Sequence, residues 1–333
     1  MICDDRASVE NRRRRAIITG IRGQDACLLG RLLQSAGWEV LGIDRQGYPE
    51  EGTVFRVFSL DLGNSQETER LVADYQPDCI FHLAAAHHSS EQNGDLSLDC
   101  EMVRTNFNVA EVLLRAITRR CRHARLLLAG SSQMYQPCGS GVNVIDETTP
   151  CAPSTFYGHT KAWSRSLLDH YRRQRGVFGS MVILFNHESP LRAPNFLARK
   201  VTMAAARAFM GQPTALRLRN VGAAIDFSSA EDVVQGMHLA LAAKEPTDYV
   251  LASGRATRID ELLDLAFGVV GLDWRAHTQI EDRSKSNLPT LVGDATQARK
   301  VLGWKIRETL PELILRMVSH DVKLLGGLLP QRN

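Results

Sequence analysis

Between residues 16 and 190, short apolar runs alternate with stretches of helical periodicity, and this rhythm limits the fold more than any single motif does. Residues 16–19, 40–43, 54–58, 79–83, 126–129 and 181–185 read as buried strands. Residues 25–36, 66–75, 100–119 and 156–174 read as the helices between them. Strands joined through a helix run parallel, because a crossover of that length returns the chain to the same end of the sheet. The expectation is therefore an α/β protein with helices on both faces of a parallel sheet. After Pro190 the rhythm changes. Residues 196–210, 230–243, 259–270, 295–302 and 310–322 read as helices, 250–252 as a strand and 284–289 as a loop. Pro311 is tolerated in the first turn of the last helix, where its missing N–H costs nothing.

The turn after the first strand, Thr19-Gly20-Ile21-Arg22-Gly23-Gln24-Asp25-Ala26, carries small residues where a dinucleotide site needs them. Gly20 permits a tight turn, Gly23 lets backbone approach a pyrophosphate, and Ala26 allows close helix packing. The helix that starts at Gln24 and Asp25 offers its N-terminus to the anion. Asp44 closes the second strand about 20 residues on, where a carboxylate accepts both ribose hydroxyls. It favours NAD; NADP stays open because Arg45 next to it can pair with a 2′-phosphate. Asp61 and Leu62 after the third strand, and Leu83, Ala84 and Ala85 after the fourth, are further candidates for the cofactor's flank.

Tyr157 and Lys161 stand four apart on a helix and so share one face. An ammonium beside a phenol favours phenolate, which lowers the phenol's pKa toward that of a general base. Ser131 and Ser132, at the end of the fifth strand, can give a hydrogen bond to a reacting oxygen. His87, His88, His159 and His187 lack metal-ligand spacing, and no metal is expected. Seven cysteines without CxxC spacing fit a reducing compartment rather than a disulfide framework or zinc site. A net charge of +3 argues against nucleic acid, and the basic runs at 12–15 and 119–125 read as solvated arginines. No apolar run approaches about 20 residues, so a soluble, cytoplasmic protein without membrane contact is expected.

With those residues in place, the chain resembles the extended short-chain dehydrogenases/reductases, in particular the GDP-mannose 4,6-dehydratase branch. The stretch Ile183-Leu184-Phe185-Asn186-His187-Glu188-Ser189-Pro190, running on to Phe196-Leu197-Ala198-Arg199-Lys200, is similar to that branch's signature almost letter for letter. Glu147-Thr148-Thr149-Pro150 and Leu291-Val292-Gly293-Asp294 match as well. Residues 1–15 read as a polar arm, and the resemblance implies a dinucleotide-binding Rossmann domain over 16–190 and a smaller, mainly substrate-binding domain over 191–333 from which some segments return to the sheet. It implies a small-molecule partner, a nucleotide- or nucleoside-linked sugar, met by Asn186, Glu188, Leu197, Lys200 and Arg283. It also implies a homodimer or tetramer, pairing through the helices at 100–119 and 156–174, with Val109, Val112, Leu113, Trp163 and Leu167 as the apolar contacts. In this family Tyr157 would take the C4 hydroxyl proton during oxidation, and a glutamate would then strip the C5 proton before water is lost.

The departures bear on that chemistry. The glutamate's position holds Gln133, and an amide cannot act as a carboxylate base. The catalytic threonine is Ser131. Two arginines that grip the diphosphate fall at Ile225 and Ser284, an acidic partner falls at Asn287, and Arg283 and Lys285 flank the second gap. The expected activity is an NAD-dependent oxidation of a sugar hydroxyl giving a keto sugar, an epimer or a reduced sugar. Two alternatives stand beside it: a true 4,6-dehydratase whose base is replaced by His187, Glu188 or a cysteine, and a silent dinucleotide-binding relative with a regulatory role.

Overall fold

The computed structural model describes residues 12–46, 55–87, 96–214, 216–282 and 289–329. Their strands are β1 (Arg15–Thr19), β2 (Glu39–Asp44), β3 (Arg56–Ser59), β4 (Cys79–His82), β5 (Arg125–Ala129), β6 (Val142–Ile145), β7 (Gly179–Leu184), β8 (Asn186–Glu188), β9 (Leu216–Leu218), β10 (Ala224–Ser229), β11 (Tyr249–Leu251), β12 (Ala256–Arg258), β13 (Thr278–Ile280) and β14 (Thr290–Gly293). The helices are α1 (Gln24–Ser35), α2 (Ser65–Tyr75), α3 (Leu96–Met102), α4 (Val109–Arg120), α5 (Phe156–Arg175), α6 (Leu197–Phe209), α7 (Ala230–Ala242), α8 (Ile259–Val269), α9 (Thr296–Leu302) and α10 (Leu310–Leu324).

Seven strands form one parallel sheet in the order β11-β7-β5-β4-β1-β2-β3. The order reverses at β1, the switch point at which a doubly wound sheet opens a crevice at its carboxyl edge. Period-2 alternation along β1 divides the core. Ile17 packs with the residues of α4 on one face, while Ala16 and Ile18 pack with α1 and α7 on the other. A third apolar cluster joins α6, α8 and α10. The α/β class expected from the rhythm, with the Rossmann sheet that the resemblance implies, is what the chain adopts. Although they follow Pro190, α7, β11, Ala298 of α9 and Trp304 pack on the seven-stranded sheet.

Two differences from the sequence reading have plain causes. The short strands β6, β8, β9, β10, β12, β13 and β14 were not foreseen, because most are three or four residues long and pair outside the main sheet. The helix expected at 100–119 begins at Leu96 and is interrupted by a π-helical turn, Val103–Asn108, between α3 and α4. That turn carries the buried Asn106 into contact with the neighbouring segments, a device often found near functional sites. Among the described residues, no helix is long and apolar enough to cross a membrane.

Candidate active site

The chain leaves β1 at Thr19 and turns at Gly20 with φ +68°, a conformation that L side chains rarely adopt. A Cβ at Gly20 would lie 2.7 Å from the Ala84 Cα, and one at Gly23 would lie 3.2 Å from the Gly20 carbonyl. Gly23 then begins α1 without a side-chain cap, so the helix offers bare N–H groups. A cradle that only hydrogen fits, facing a helix N-terminus, suits a pyrophosphate. The loop beyond β4 is held against this turn by Thr19, whose hydroxyl accepts the N–H of Leu83 and of Ala84, each at 3.1 Å. The Thr19 proton therefore points to His82 Nδ1, 2.9 Å away. Burial and the nearby Lys161 push the His82 pKa down to about 3, so this imidazole stays neutral.

Farther along the edge, Asp44 and Arg45 stand at the end of β2. The Arg45 guanidinium pairs with Glu101 at 2.5 Å, and Arg104 pairs with Asp61. At the other end, Thr155 caps α5 by accepting the Gly158 N–H at 3.0 Å. A Cβ on Gly158 would sit 2.0 Å from the Gln133 carbonyl, so the first turn of α5 lies directly on the turn at residues 131–134. This contact brings Tyr157 to Ser131, whose hydroxyl favours the phenolate. Asn106 ties the same region together, bonding the Ala86 backbone through both amide atoms at 3.0 Å and Thr160 at 3.1 Å. Lys161 is buried, its Nζ 5.5 Å from the centre of the Tyr157 ring.

One cleft of about 1100 Å³ collects these parts. It is lined by Gly20, Gly23, Gln24, Asp25, Asp44 and Arg45, with Asp61, Leu62, Leu83, Ala84 and Ala85 along the same wall. Ser131, Ser132, Gln133, Tyr157 and Lys161 line its far end, together with Asn186, Leu197 and Lys200. Glu188 is the exception. Its side chain is buried behind the cleft, 3.3 Å from Arg192, and burial raises its pKa. Arg283, Ser284, Lys285 and Asn287 lie outside the described residues.

The electrostatics correct one expectation. Burial pushes the Tyr157 phenol up, to about 12; Asp25 adds to this, while Arg192 and the Ser131 hydrogen bond oppose it. Desolvation outweighs the charge of Arg192 and the Ser131 hydroxyl, both of which favour phenolate, because the phenol is enclosed. Lys161 itself falls to about 8 for the same reason. Of the groups expected as substitute bases, His187 is committed on both nitrogens, to Asp25 at 2.8 Å and to the Phe185 carbonyl at 2.7 Å. Among the described residues no cysteine lines the cleft.

Sequence reasoning missed His87 and Arg192. The Arg192 guanidinium stacks on Phe196 at 3.6 Å, and its charge reaches Tyr157. The His87 ring stands edge-on to Tyr157, with centroids 4.7 Å apart. The signal for His87 is its place immediately after the alanines 84–86 that follow β4; the sequence reading weighs it only as a metal ligand.

A family model for GDP-mannose 4,6 dehydratase matches residues 17–317. The chain belongs to that family. GDP-mannose 4,6 dehydratase 2 of Arabidopsis thaliana is 32% identical over 339 residues, covering 96% of this chain and 89% of the relative. The UDP-glucose 4-epimerase of Thermotoga maritima, solved with UDP-glucose, superposes with TM-score 0.78 at 20% identity, covering 93% and 99% of the two chains. The Thermus thermophilus UDP-glucose 4-epimerase, solved with NAD, gives TM-score 0.78 at 22% identity, covering 92% and 98%. This member of the dehydratase family therefore has the fold of the nucleotide-sugar epimerases.

Proposed function

We propose that this chain oxidises a secondary hydroxyl of a nucleotide- or nucleoside-linked sugar, using NAD in preference to NADP, and yields a keto sugar that is released, epimerised or reduced. The observation that carries this reading is the meeting of Tyr157, Lys161 and Ser131 at one end of a cleft whose other end is the Gly20–Gly23 cradle. The dinucleotide supplies the hydride acceptor when bound. Tyr157 reacts from its phenolate, the minor form at neutral pH because burial pushes the phenol up to about 12: its Oη takes the hydroxyl proton and becomes the phenol, and Ser131 hydrogen-bonds the reacting oxygen. Lys161, with its pKa near 8, keeps most of its positive charge at neutral pH and stabilises the phenolate as the proton arrives.

Two features support a product other than the family's 4-keto-6-deoxy sugar. The Gln133 amide accepts a hydrogen bond from Thr155 at 3.0 Å and has no basic lone pair to offer a C–H bond. Ile225 packs against the apolar cluster of α6, α8 and α10, in place of a cation that would hold a diphosphate. Each lost charge-assisted hydrogen bond to phosphate costs roughly 1.5–3 kcal/mol. Family membership favours a second reading, dehydration with a substitute base.

The test is incubation with NAD and a panel including GDP-mannose and UDP-glucose, following cofactor reduction by absorbance and products by mass spectrometry. Reduction with at least one sugar, lost by 10²–10⁴-fold in Tyr157→Phe, is expected. Efficient conversion of GDP-mannose to its 4-keto-6-deoxy product would exclude the first reading.

A further inference from the structure

We propose that His87 is a catalytic residue of this enzyme, the group that moves the proton on the sugar carbon next to the ketone. The proposal takes its substrate, a keto sugar, from the function proposed above, but the step itself is a proton transfer that consumes no oxidant.

The geometry begins at Thr155. Its oxygen accepts the Gly158 N–H, and its single proton goes to Gln133 Oε1 at 3.0 Å. That choice turns the Gln133 NH₂ group toward His87 Nε2, 3.3 Å away. An amide NH₂ only donates, so His87 Nε2 is the acceptor and carries a lone pair, with the ring proton on Nδ1. The contact is long, and a substrate can displace it. The imidazole also stands edge-on to the Tyr157 ring at 4.7 Å and lies 6.0 Å from Phe196. A neutral imidazole is therefore held beside the phenol that takes the hydroxyl proton. The carbons flanking the oxidised one are the next atoms a sugar presents there.

Such a carbon needs a base once its neighbour is a ketone. Gln133 cannot serve, Glu188 is behind the wall, and His187 and Asp25 are bonded to each other. His87 is the neutral imidazole at this end of the cleft, whereas Lys161, with its pKa near 8, keeps most of its charge at neutral pH. Its Nε2 lone pair takes the proton, the C–H pair becomes the C=C of an enolate, and the charge moves to the former ketone oxygen, near Ser131 and Tyr157. After the His87 proton exchanges with solvent, its return to the same face gives isotope exchange and restores neutral His87. Loss of a β-hydroxyl, protonated by the His87 cation, gives water and restores neutral His87.

The test supplies the ketone directly. The full chain is incubated in D₂O with GDP-4-keto-6-deoxymannose, and deuterium at the carbons flanking the carbonyl is followed by NMR. Exchange well above the buffer rate is expected; it should fall 10²–10⁴-fold in His87→Ala and return in part when imidazole is added to that variant. Exchange no faster than buffer, comparable exchange by His87→Ala, or a loss that imidazole leaves untouched would each overturn the assignment. Because the probe already carries the ketone, exchange without cofactor reduction on the parent sugars sinks the oxidation and keeps His87. Reduction without exchange does the reverse.

Discussion

At the end of β2 a carboxylate and a guanidinium stand side by side and argue for different cofactors. Arg45 is already paired with Glu101, which reduces its pull on a 2′-phosphate, while Asp44 remains on the cleft wall to repel one. NADH should therefore bind more tightly than NADPH, and Asp44→Ala should narrow the ratio by about tenfold, or about 1.4 kcal/mol. Isothermal titration of both cofactors checks this, and equal affinities in the unmodified protein would refute it. A second pair sets a pH window. Burial would raise the Asp25 pKa, but the charge and hydrogen bond of His187 hold it below its usual 3.8. Burial would lower His187, but Asp25 raises it above 6.5. The lowered acid contributes stability above 3.8 that is lost as pH falls through its folded value. The raised base contributes stability below 6.5 that is lost as pH rises through its own. The full contribution thus lies between 3.8 and 6.5. Asp25→Asn should cost about 1–3 kcal/mol in that window and less on either side, read as the Tm difference against pH.

The arrangement of elements turns on α5. Its Tyr–Lys pair was legible from a four-residue spacing, but what brings the pair to Ser131 is the absence of a side chain at Gly158, which no periodicity reveals. Gly158→Ala would drive a methyl into the Gln133 carbonyl and force α5 away from the turn at residues 131–134. The expected cost is about 1–3 kcal/mol of stability, with loss of cofactor reduction, since Tyr157 and Ser131 separate. A variant with unchanged Tm and activity would show that the two segments are not pressed together. The π-helical turn before α4 was equally invisible, because its effect is to aim Asn106 at Ala86 and Thr160, 20 and 54 residues away.

For the whole molecule, the assembly expectation changes its residues. Val109, Val112 and Leu113 are buried in the chain's own core and are not available to a partner. What α5 leaves outside is an aromatic group, Phe156 and Trp163, exposed by 37% and 42%, with Phe107 and His159 against the Trp163 ring. A dimer through this face is the proposal; light scattering should give twice the 37.0 kDa chain mass, and Trp163→Glu should shift it toward monomer. A monomer at micromolar concentration would refute it. By itself the sequence determined the parallel sheet, the glycine turn and the Tyr157–Lys161 helix, because each depends on residues a few positions apart whose sterics are local. Only the tertiary structure decided that Glu188 lies behind the wall, that the Tyr157 phenol is pushed up rather than down, and that His87 faces Gln133. Those outcomes depend on desolvation and on contacts between separate segments, 46 residues apart for His87 and Gln133, which no local pattern encodes.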